Sequence, residues 1–376
     1  MCLLVFGITA IVKKSQKKPL GKTAKRLKST AVAIAALVVI GSGIALFSQF
    51  FAKTPPILDQ NGSVVEGSIS ELTKLEFNGR KQWISIRGHS ADNPVLLFLA
   101  GGPGGSQLAA VRHELSELEK HFIVVGWDQP GSAKSYNSLN ISKIDPNSYV
   151  EDGLALTNYL RERFGKEKIY LVGESWGSAL GIFMAQRAPE LFHAFVGTGQ
   201  MVDFAETERI DYHKALELAQ AANDQKTVDK LLKNGEPPYY GANVALRSAV
   251  YLNYLSAHMQ SDPNITNPGY NTLRDVFSSE YGVIDKINYF LGIINTFGHV
   301  YQQLYGINLA VDCKKIDIPV YFFEGRYDIN APVSLVEDYF AVLEAPHKEL
   351  IWFEHSGHSP WINERQKFVD ELLKLL

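Results

Sequence analysis

Beyond about residue 70, short apolar runs alternate with helical stretches, and this alternation restricts the fold of the chain more than any other feature. Such alternation is typical of an α/β sheet flanked by helices. The later apolar runs are nearly continuous, as expected for parallel strands buried on both faces. Eight strands are predicted, at residues 72–77, 83–87, 95–100, 122–127, 169–172, 194–197, 320–324 and 350–353.

One region departs from this alternation of strands and helices. Residues 202–310 show no strand pattern, but they contain amphipathic stretches such as 207–222 and 227–233, and they hold ten of the 17 tyrosines. The pattern predicts a helical insertion folded over one end of the sheet. The predicted domains are therefore a core in two parts, residues 53–201 and 311–376, with a helical cap at 202–310.

The N-terminal region has a different character. Residues 29–52 form an uncharged run of 24 residues, and about 20 apolar residues suffice for a helix to cross a bilayer. The preceding segment, residues 1–28, carries eight basic residues and no acidic one: Lys13, Lys14, Lys17, Lys18, Lys22, Lys25, Arg26 and Lys28. Because basic flanks stay in the cytoplasm, we predict a single-pass membrane protein, anchored in the lipid bilayer through residues 29–52, with residues 53–376 on the extracytoplasmic side.

A cleaved signal peptide is the alternative for this segment. It would have a shorter apolar core and a cleavage site of small residues. The run ends instead in Phe47-Ser48-Gln49-Phe50-Phe51, which is a poor cleavage site. The sequence therefore favours an uncleaved anchor.

Charge and cysteine usage exclude several partners. Beyond residue 52 there are 29 basic and 40 acidic residues, a net charge of −11. Nucleic-acid binding needs basic patches, so we predict no nucleic-acid partner. Cys2 and Cys313 are too far apart in the chain to suggest a disulfide framework. No spacing typical of a metal site occurs, and we predict neither a metal nor a cofactor.

The sequence Gly173-Glu174-Ser175-Trp176-Gly177 follows the fifth predicted strand and precedes a predicted helix at 175–186. In this context a G-x-S-x-G motif predicts a nucleophile elbow, a strained strand-to-helix turn that presents the serine. The amides at the start of the following helix would favour a developing oxyanion. Ser175 is the predicted nucleophile.

A glycine-rich loop, Ala100-Gly101-Gly102-Pro103-Gly104-Gly105, follows the third predicted strand. Such a loop can turn a backbone N–H toward a substrate carbonyl, and one donor of this kind is worth about 2.7–4 kcal/mol of transition-state stabilisation. A plain tight turn explains the glycines equally well. A phosphate-binding P-loop is excluded, since no Lys-Ser/Thr follows them.

A serine nucleophile also needs an acid and a histidine, in that chain order. Asp328 follows the strand at 320–324, and His358 follows the strand at 350–353. Both positions are at strand carboxyl ends, where open α/β sheets place their sites. His355 is the alternative base and Asp203 the alternative acid. Asp128 is interpreted as a brace for the turn after the fourth strand.

Five ordered motifs, AGGPG, GWDQPGSAKSY, GESWG, GRYD and HSGHSP, resemble those of the proline iminopeptidase-like α/β-hydrolases. The resemblance covers roughly residues 70–375. It implies the α/β-hydrolase fold, with an eight-stranded, mostly parallel sheet and a helical cap inserted after strand 6. It also implies a triad and two backbone oxyanion donors, namely Ser175, Asp328 and His358 with Gly102 and Trp176.

The chain departs from the family pattern at three positions: Ala100 replaces a usual His, Pro130 a usual Arg, and Glu174 a frequent Gly. None of them removes a triad residue. Family aminopeptidases hold the free amino group of the substrate with cap acids, and the predicted cap offers Glu206, Glu208 and Asp211.

The predicted function is cleavage of an amide or ester bond, through an acyl-enzyme, in a small molecule or short peptide. The resemblance favours a proline iminopeptidase-like aminopeptidase, and a carboxylesterase is the alternative. A non-hydrolytic enzyme or a catalytically silent binding module on the same fold fits less well. Neither explains a complete set of serine, acid and histidine at strand ends.

Overall fold

The computed structural model describes residues 2–16, 19, 21–267 and 269–376. Lys17 and Lys18 of the predicted basic segment lie outside the described residues. The chain divides into two compact units. The smaller one holds the residues up to Ala52 together with Gly282–Ile284, and the larger one holds Lys53–Tyr281 and Asp285–Leu376.

The smaller unit contains two helices, α1 (Cys2–Ser15) and α2 (Gly21–Ser48), and a 3₁₀ turn at Gln49–Phe51. The continuous helical stretch Gly21–Phe51 is long and apolar enough to cross a membrane, and none of its most apolar part is buried. A signal sequence meets the same criterion. The helix begins eight residues before the predicted span and so includes part of the basic segment.

The larger unit is built on one eight-stranded sheet, and all eight predicted strands are present. The strands are β1 (Ile69–Phe77), β2 (Arg80–Gly88), β3 (Val95–Leu99), β4 (Ile123–Asp128), β5 (Ile169–Glu174), β6 (Phe192–Thr198), β7 (Val320–Gly325) and β8 (Lys348–Phe353). Their spatial order is β1-β2-β4-β3-β5-β6-β7-β8. Only the β1–β2 and β2–β4 pairings are antiparallel. The predicted α/β fold with a mostly parallel sheet is confirmed.

Thirteen further α-helices follow in the described chain, all in the larger unit except for the first two residues of α10. They are α3 (Leu108–Glu114), α4 (Pro146–Phe164), α5 (Trp176–Arg187), α6 (Phe204–Ala221), α7 (Gln225–Asn234), α8 (Val244–Ser261), α9 (Thr272–Val276), α10 (Val283–Leu291), α11 (Phe297–Val300), α12 (Leu309–Asp312), α13 (Val333–Val342), α14 (Pro360–Asn363) and α15 (Arg365–Leu373). A π-helical turn, Gly292–Thr296, joins α10 to α11. Helices α6–α12 all lie between β6 and β7, which is where the helical insertion is predicted.

Alternating side chains of the central strands fill two separate cores. On β3, Leu97 packs with Leu171 on one face of the sheet, and Phe98 packs with Val172 on the other. All four side chains are essentially inaccessible to solvent. Burial on both faces explains why these strands read as unbroken apolar runs. Because β5, β6, β7 and β8 run parallel, the loops after their carboxyl ends meet at one edge of the sheet.

Candidate active site

Ser175 lies at the sharp turn between β5 and α5. Its backbone angles, φ 55° and ψ −123°, are outside the regions that most residues adopt, and such a conformation costs about 1–3 kcal/mol. A side chain at Gly173 would overlap the backbone of Gly177, and one at Gly177 would overlap the carbonyl of Leu99. The two glycines of the motif are therefore required by close backbone packing, and the turn leaves the serine half-buried.

Asp328 and His358 lie on the loops that follow β7 and β8. Asp328 Oδ2 is 2.9 Å from His358 Nδ1. Asp328 Oδ1 accepts the backbone N–H groups of Asn330, at 2.8 Å, and Ala331, at 3.0 Å. The carboxylate is almost fully buried and has a partner on each oxygen. It is thus held rigidly where it can fix the tautomer and orientation of the imidazole.

Ser175 and His358 both flank the carboxyl end of β6. The Ser175 amide donates to the Thr198 carbonyl at 3.1 Å, and the His358 ring packs against Gly199. In the described part of the chain no hydrogen bond joins Ser175 Oγ to the imidazole. Catalytic hydrogen bonds often tighten only when substrate is bound.

The pKa of His358 reflects two opposing effects. Burial lowers it, but the adjacent Asp328 carboxylate outweighs burial, with smaller contributions from Glu174 and Glu324, and raises the pKa to about 9. Glu324 is the penultimate residue of β7 and is fully buried, and burial raises its own pKa well above the usual range. The nearby carboxyl groups thus stabilise the protonated form of the imidazole.

The glycine-rich loop passes directly over Ser175. A side chain at Gly101 would lie 3.2 Å from Ser175 Cβ, and the Gly101 amide donates to Gln107 Oε1 at 3.1 Å. The amides of Gly102 and Trp176 donate to no acceptor among the described residues. Trp176 is the first residue of α5, so its amide also belongs to the positive end of a helix dipole.

The alternative residues have other partners. His355 is exposed, and its Nδ1 lies 3.1 Å from the Asn264 carbonyl. Asp203 caps α6 by accepting the Glu206 amide at 3.0 Å, and its other oxygen accepts Asn308 Nδ2 at 2.7 Å. The structure therefore pairs His358 with Asp328 and uses Asp203 as a helix cap.

Asp128 has the structural role that the sequence suggested. It is completely buried as the last residue of β4, accepts the Ser106 hydroxyl, and accepts the Lys134 amide at 3.0 Å. Burial raises its pKa to about 7. These bonds tie the glycine-rich loop to the turn after β4.

Sequence reasoning missed the role of Glu174, which it recorded only as a departure from the family pattern. This buried carboxylate accepts four side-chain donors: Ser359 Oγ at 2.6 Å, Trp361 Nε1 at 2.8 Å, Gln107 Nε2 and the Tyr270 hydroxyl. Ser359 directly follows His358, and Tyr270 belongs to the helical insertion. Glu174 therefore connects the nucleophile turn, the histidine loop, the glycine-rich loop and the insertion.

The three insertion acids differ in burial. Glu206 pairs with Arg209 at the protein surface. Glu208 is buried, and its Oε2 accepts the Tyr251 hydroxyl and, at 3.4 Å, the Ser248 hydroxyl. The Tyr301 hydroxyl is near enough to lower its pKa, but Oε1 has no partner within hydrogen-bonding distance in the described structure. Asp211 is completely buried, and in the described structure neither of its oxygens has a partner.

Their pKa values follow from this burial. Burial raises the pKa of Glu208 to about 7. It raises the pKa of Asp211 well above the usual range, helped by repulsion from Glu208 and Asp328. The repulsion from Asp328 indicates that Asp211 lies near the Asp328–His358 site.

A pocket of about 100 Å³ opens beside His358. Its walls combine the histidine loop with insertion residues, including Met259, Ile265 and Tyr270. It offers a small, mainly apolar approach to the imidazole. No group of three or more His, Cys, Asp or Glu side chains within the described ranges is arranged to hold a metal ion.

Comparison with known proteins supports the fold and the type of enzyme. A family described as "alpha/beta hydrolase fold" matches residues 94–364. The probable aminopeptidase YbaC of Bacillus subtilis (strain 168) is 31% identical over 310 residues, which cover 81% of this chain and 96% of that protein.

Solved structures show the same fold at lower identity. The proline iminopeptidase of Mycobacterium smegmatis superposes with a TM-score of 0.57 at 17% identity, over 81% of this chain and 97% of that one. An esterase from Rhodococcus sp. ECU1013 superposes with a TM-score of 0.51 at 14% identity, over 82% and 98% of the respective chains. A peptidase and an esterase share this architecture, so the fold alone does not select the substrate.

Proposed function

This chain belongs to the α/β-hydrolase family, and we propose that it is a serine hydrolase acting through an acyl-enzyme, with the specificity of a prolyl-type aminopeptidase. The 2.9 Å contact between Asp328 and His358, beside the strained turn that carries Ser175, is the observation that supports the mechanism most directly. The aminopeptidase name of the relative from Bacillus subtilis supports the specificity.

In the proposed reaction, Ser175 Oγ attacks the scissile carbonyl carbon while His358 Nε2 accepts its proton. The amides of Gly102 and Trp176 stabilise the oxyanion, and His358 then donates the proton to the leaving amine. Water attacks the resulting ester by the same route in reverse. Asp328 holds Nδ1–H and stabilises the imidazolium that forms in each half-reaction.

We assign recognition of the free amino group to Glu208 and Asp211. A buried carboxylate without a hydrogen-bond partner costs about 1–3 kcal/mol or more, and both residues carry such oxygens near the site. A substrate ammonium would supply the missing donors and a compensating charge. Glu206 is not assigned this role because it pairs with Arg209 at the surface.

The test is a paired assay of the purified full-length chain on proline 4-nitroanilide and 4-nitrophenyl acetate. Both have good leaving groups, so a difference in kcat/KM mainly reports recognition. We expect a strong preference for the prolyl amide that disappears when its amine is acetylated. Turnover of the acetate without amide cleavage would instead support the carboxylesterase.

We further propose that residues 29–52 anchor the protein and that residues 53–376 lie outside the cytoplasm. The apolar helical stretch Gly21–Phe51 and the basic residues that precede its apolar part support this. Protease added to spheroplasts should digest the chain beyond about residue 53 and leave the basic segment protected. Protection of the catalytic part would reverse the orientation.

A further inference from the structure

An exposed apolar surface covers part of the helical insertion. It is formed by five side chains of α9, α10 and the segments that follow them, and we name it the apolar face: Leu273, Phe277, Ile287, Phe290 and Ile294. Ile287, Phe290 and Ile294 are spaced by three and four residues along α10 and the π-helical turn that continues it, and so share one side of the helix. Lys286 Nζ lies 5.4 Å from the Phe277 ring, which brings α10 and the end of α9 together.

The carboxylates of the same segment are buried. Residues 271–296 include three carboxylates, Asp275, Glu280 and Asp285, and all three are buried. Each contacts a cation, namely Arg274, Arg112 and Lys134 respectively. On a unit with a net charge of −11, a surface with apolar side chains and no exposed carboxylate is unusual.

The chain joins the proposed anchor to the larger unit at the loop beside this face. The apolar helical stretch ends at Phe51, and two residues later the Lys53 amide donates to the Ser279 carbonyl at 2.9 Å. Ser279 lies between α9 and α10. Two residues span at most about 7 Å, so the chain ties the last residue of the proposed anchor to the loop between these helices by a link of that length.

We infer that the apolar face docks on the surface of the bilayer in which the protein is anchored. The inference rests on the proposed anchor, which keeps the face beside the lipid at high effective concentration, so that even a weak attachment is occupied. Amphipathic helices bind the membrane interface through an apolar side, while basic side chains remain at the headgroups. Lys286 and Lys53 are placed for this second role. The insertion, and with it the pocket beside His358, would then have a fixed orientation relative to the membrane.

The test uses the full-length chain with Cys2→Ser, in which the remaining Cys313 is buried. Single cysteines are introduced as Ile287→Cys on the apolar face, Leu246→Cys on α8, and Val39→Cys in the anchor. Ile287 and Leu246 are matched, with exposed fractions of 57% and 58%. Each variant is labelled with an NBD fluorophore and reconstituted into phosphatidylcholine vesicles that contain a minor fraction of phosphatidylglycerol, with or without doxyl-labelled lipid.

We expect doxyl lipid to reduce emission at positions 287 and 39 to about half, and to leave position 246 unchanged, since an interfacial helix lies about 5–10 Å into the headgroup boundary. Quenching at 39 but not at 287 would overturn the docking inference and leave the anchor intact. The absence of quenching at both would overturn both proposals. Energy transfer between copies labelled at 287, without lipid quenching, would overturn docking in favour of contact with a second copy.

Hydrolysis of proline 4-nitroanilide is measured on the same samples. None of the three labelled positions belongs to the proposed catalytic site, so turnover should match that of the parent chain. A protein that docks but does not hydrolyse would overturn the proposed hydrolase and leave the docking inference standing.

Discussion

Four buried carboxylates near the candidate site differ in how many hydrogen-bond partners they have: Glu174 and Asp328 at the end of the sheet, and Glu208 and Asp211 on α6. Glu324, on β7, resembles the α6 pair, because its Oε2 has no partner in the described structure. Glu174 accepts four donors, and Asp328 has partners on both oxygens. On α6, by contrast, Glu208 has one oxygen without a partner and Asp211 has two, within the described structure. Both groups are almost inaccessible to water.

This difference indicates two functions for buried negative charge. A carboxylate with all its partners holds loops in one arrangement, since losing any one bond leaves a buried group unsatisfied. A buried carboxylate without partners lowers the stability of the free protein. A bound cation stabilises it strongly, because the cation supplies both hydrogen-bond donors and an opposite charge. We interpret the first group as positioning the catalytic residues and the second as recognising the substrate.

The largest expected effect comes from the proposed nucleophile, Ser175. Ser175→Ala should reduce kcat by about 10⁶-fold on every substrate, as loss of a serine nucleophile does elsewhere. It should also abolish labelling by a fluorophosphonate probe. Ser261→Ala, at an exposed position on α8, is the control. Persistent labelling of the Ser175→Ala chain would contradict the assignment.

The next effect separates the two aspartates proposed as the acid. Asp328→Asn should reduce kcat about 10⁴-fold, because the amide favours the wrong tautomer of His358. Asp203→Asn should leave kcat nearly unchanged, since Asn and Asp cap helices about equally well. If Asp203→Asn were the damaging change, the acid would be misassigned.

The proposed difference between carboxylates with and without hydrogen-bond partners is tested most directly at Asp211. Asp211→Asn should lower kcat/KM for proline 4-nitroanilide about 10- to 100-fold, the equivalent of one charged hydrogen bond. It should leave 4-nitrophenyl acetate hydrolysis unaffected, because that substrate has no amine. Glu206→Gln, on the outer surface of α6, is the matched control. An equal loss on both substrates would show that Asp211 supports the site rather than the amine.

Below pH 7, the ratio of kcat/KM for the prolyl substrate to kcat/KM for the acetate should fall about tenfold per pH unit. His358, with a pKa raised to about 9, must be neutral to act as base, so kcat/KM falls for both substrates as pH drops below 9. Glu208, with a pKa of about 7, must be ionised to bind an ammonium, so the prolyl substrate loses a further factor below pH 7. Glu208→Gln should remove that extra loss. Parallel profiles below pH 7 would argue against Glu208.

The smallest effects concern stability and should have opposite signs. Asp211→Leu removes an unsatisfied polar group and should raise the free energy of unfolding by about 1–3 kcal/mol. Glu174→Gln replaces a carboxylate oxygen with an NH₂ group that cannot accept the surrounding hydrogen bonds. It should therefore lower the free energy of unfolding by about 1–3 kcal/mol. Thermal midpoints of the two variants and the parent, measured in one detergent, provide the comparison. A shift in the same direction for both would mean that the two carboxylates are equivalent.

Much of the fold was predictable from the sequence, because strand burial and turn chemistry leave local patterns. All eight strands are present, and the elbow at Ser175 is recognisable from two glycines between a strand and a helix. The positions of Asp328 and His358 followed from the rule that loops after parallel strands meet at one edge. These features depend on residues that are close in the chain.

Other features depend on contacts between distant segments, and only the tertiary structure could decide them. Glu174 is hydrogen-bonded to residues up to 187 positions away, so the sequence presented it only as an unexpected neighbour of Ser175. The sequence offered Glu206, Glu208 and Asp211 as equivalent acids on one helix. Packing exposes the first and buries the other two without enough partners. The pKa of a side chain is set by its burial and by nearby charges, and neither can be read from its position in the chain.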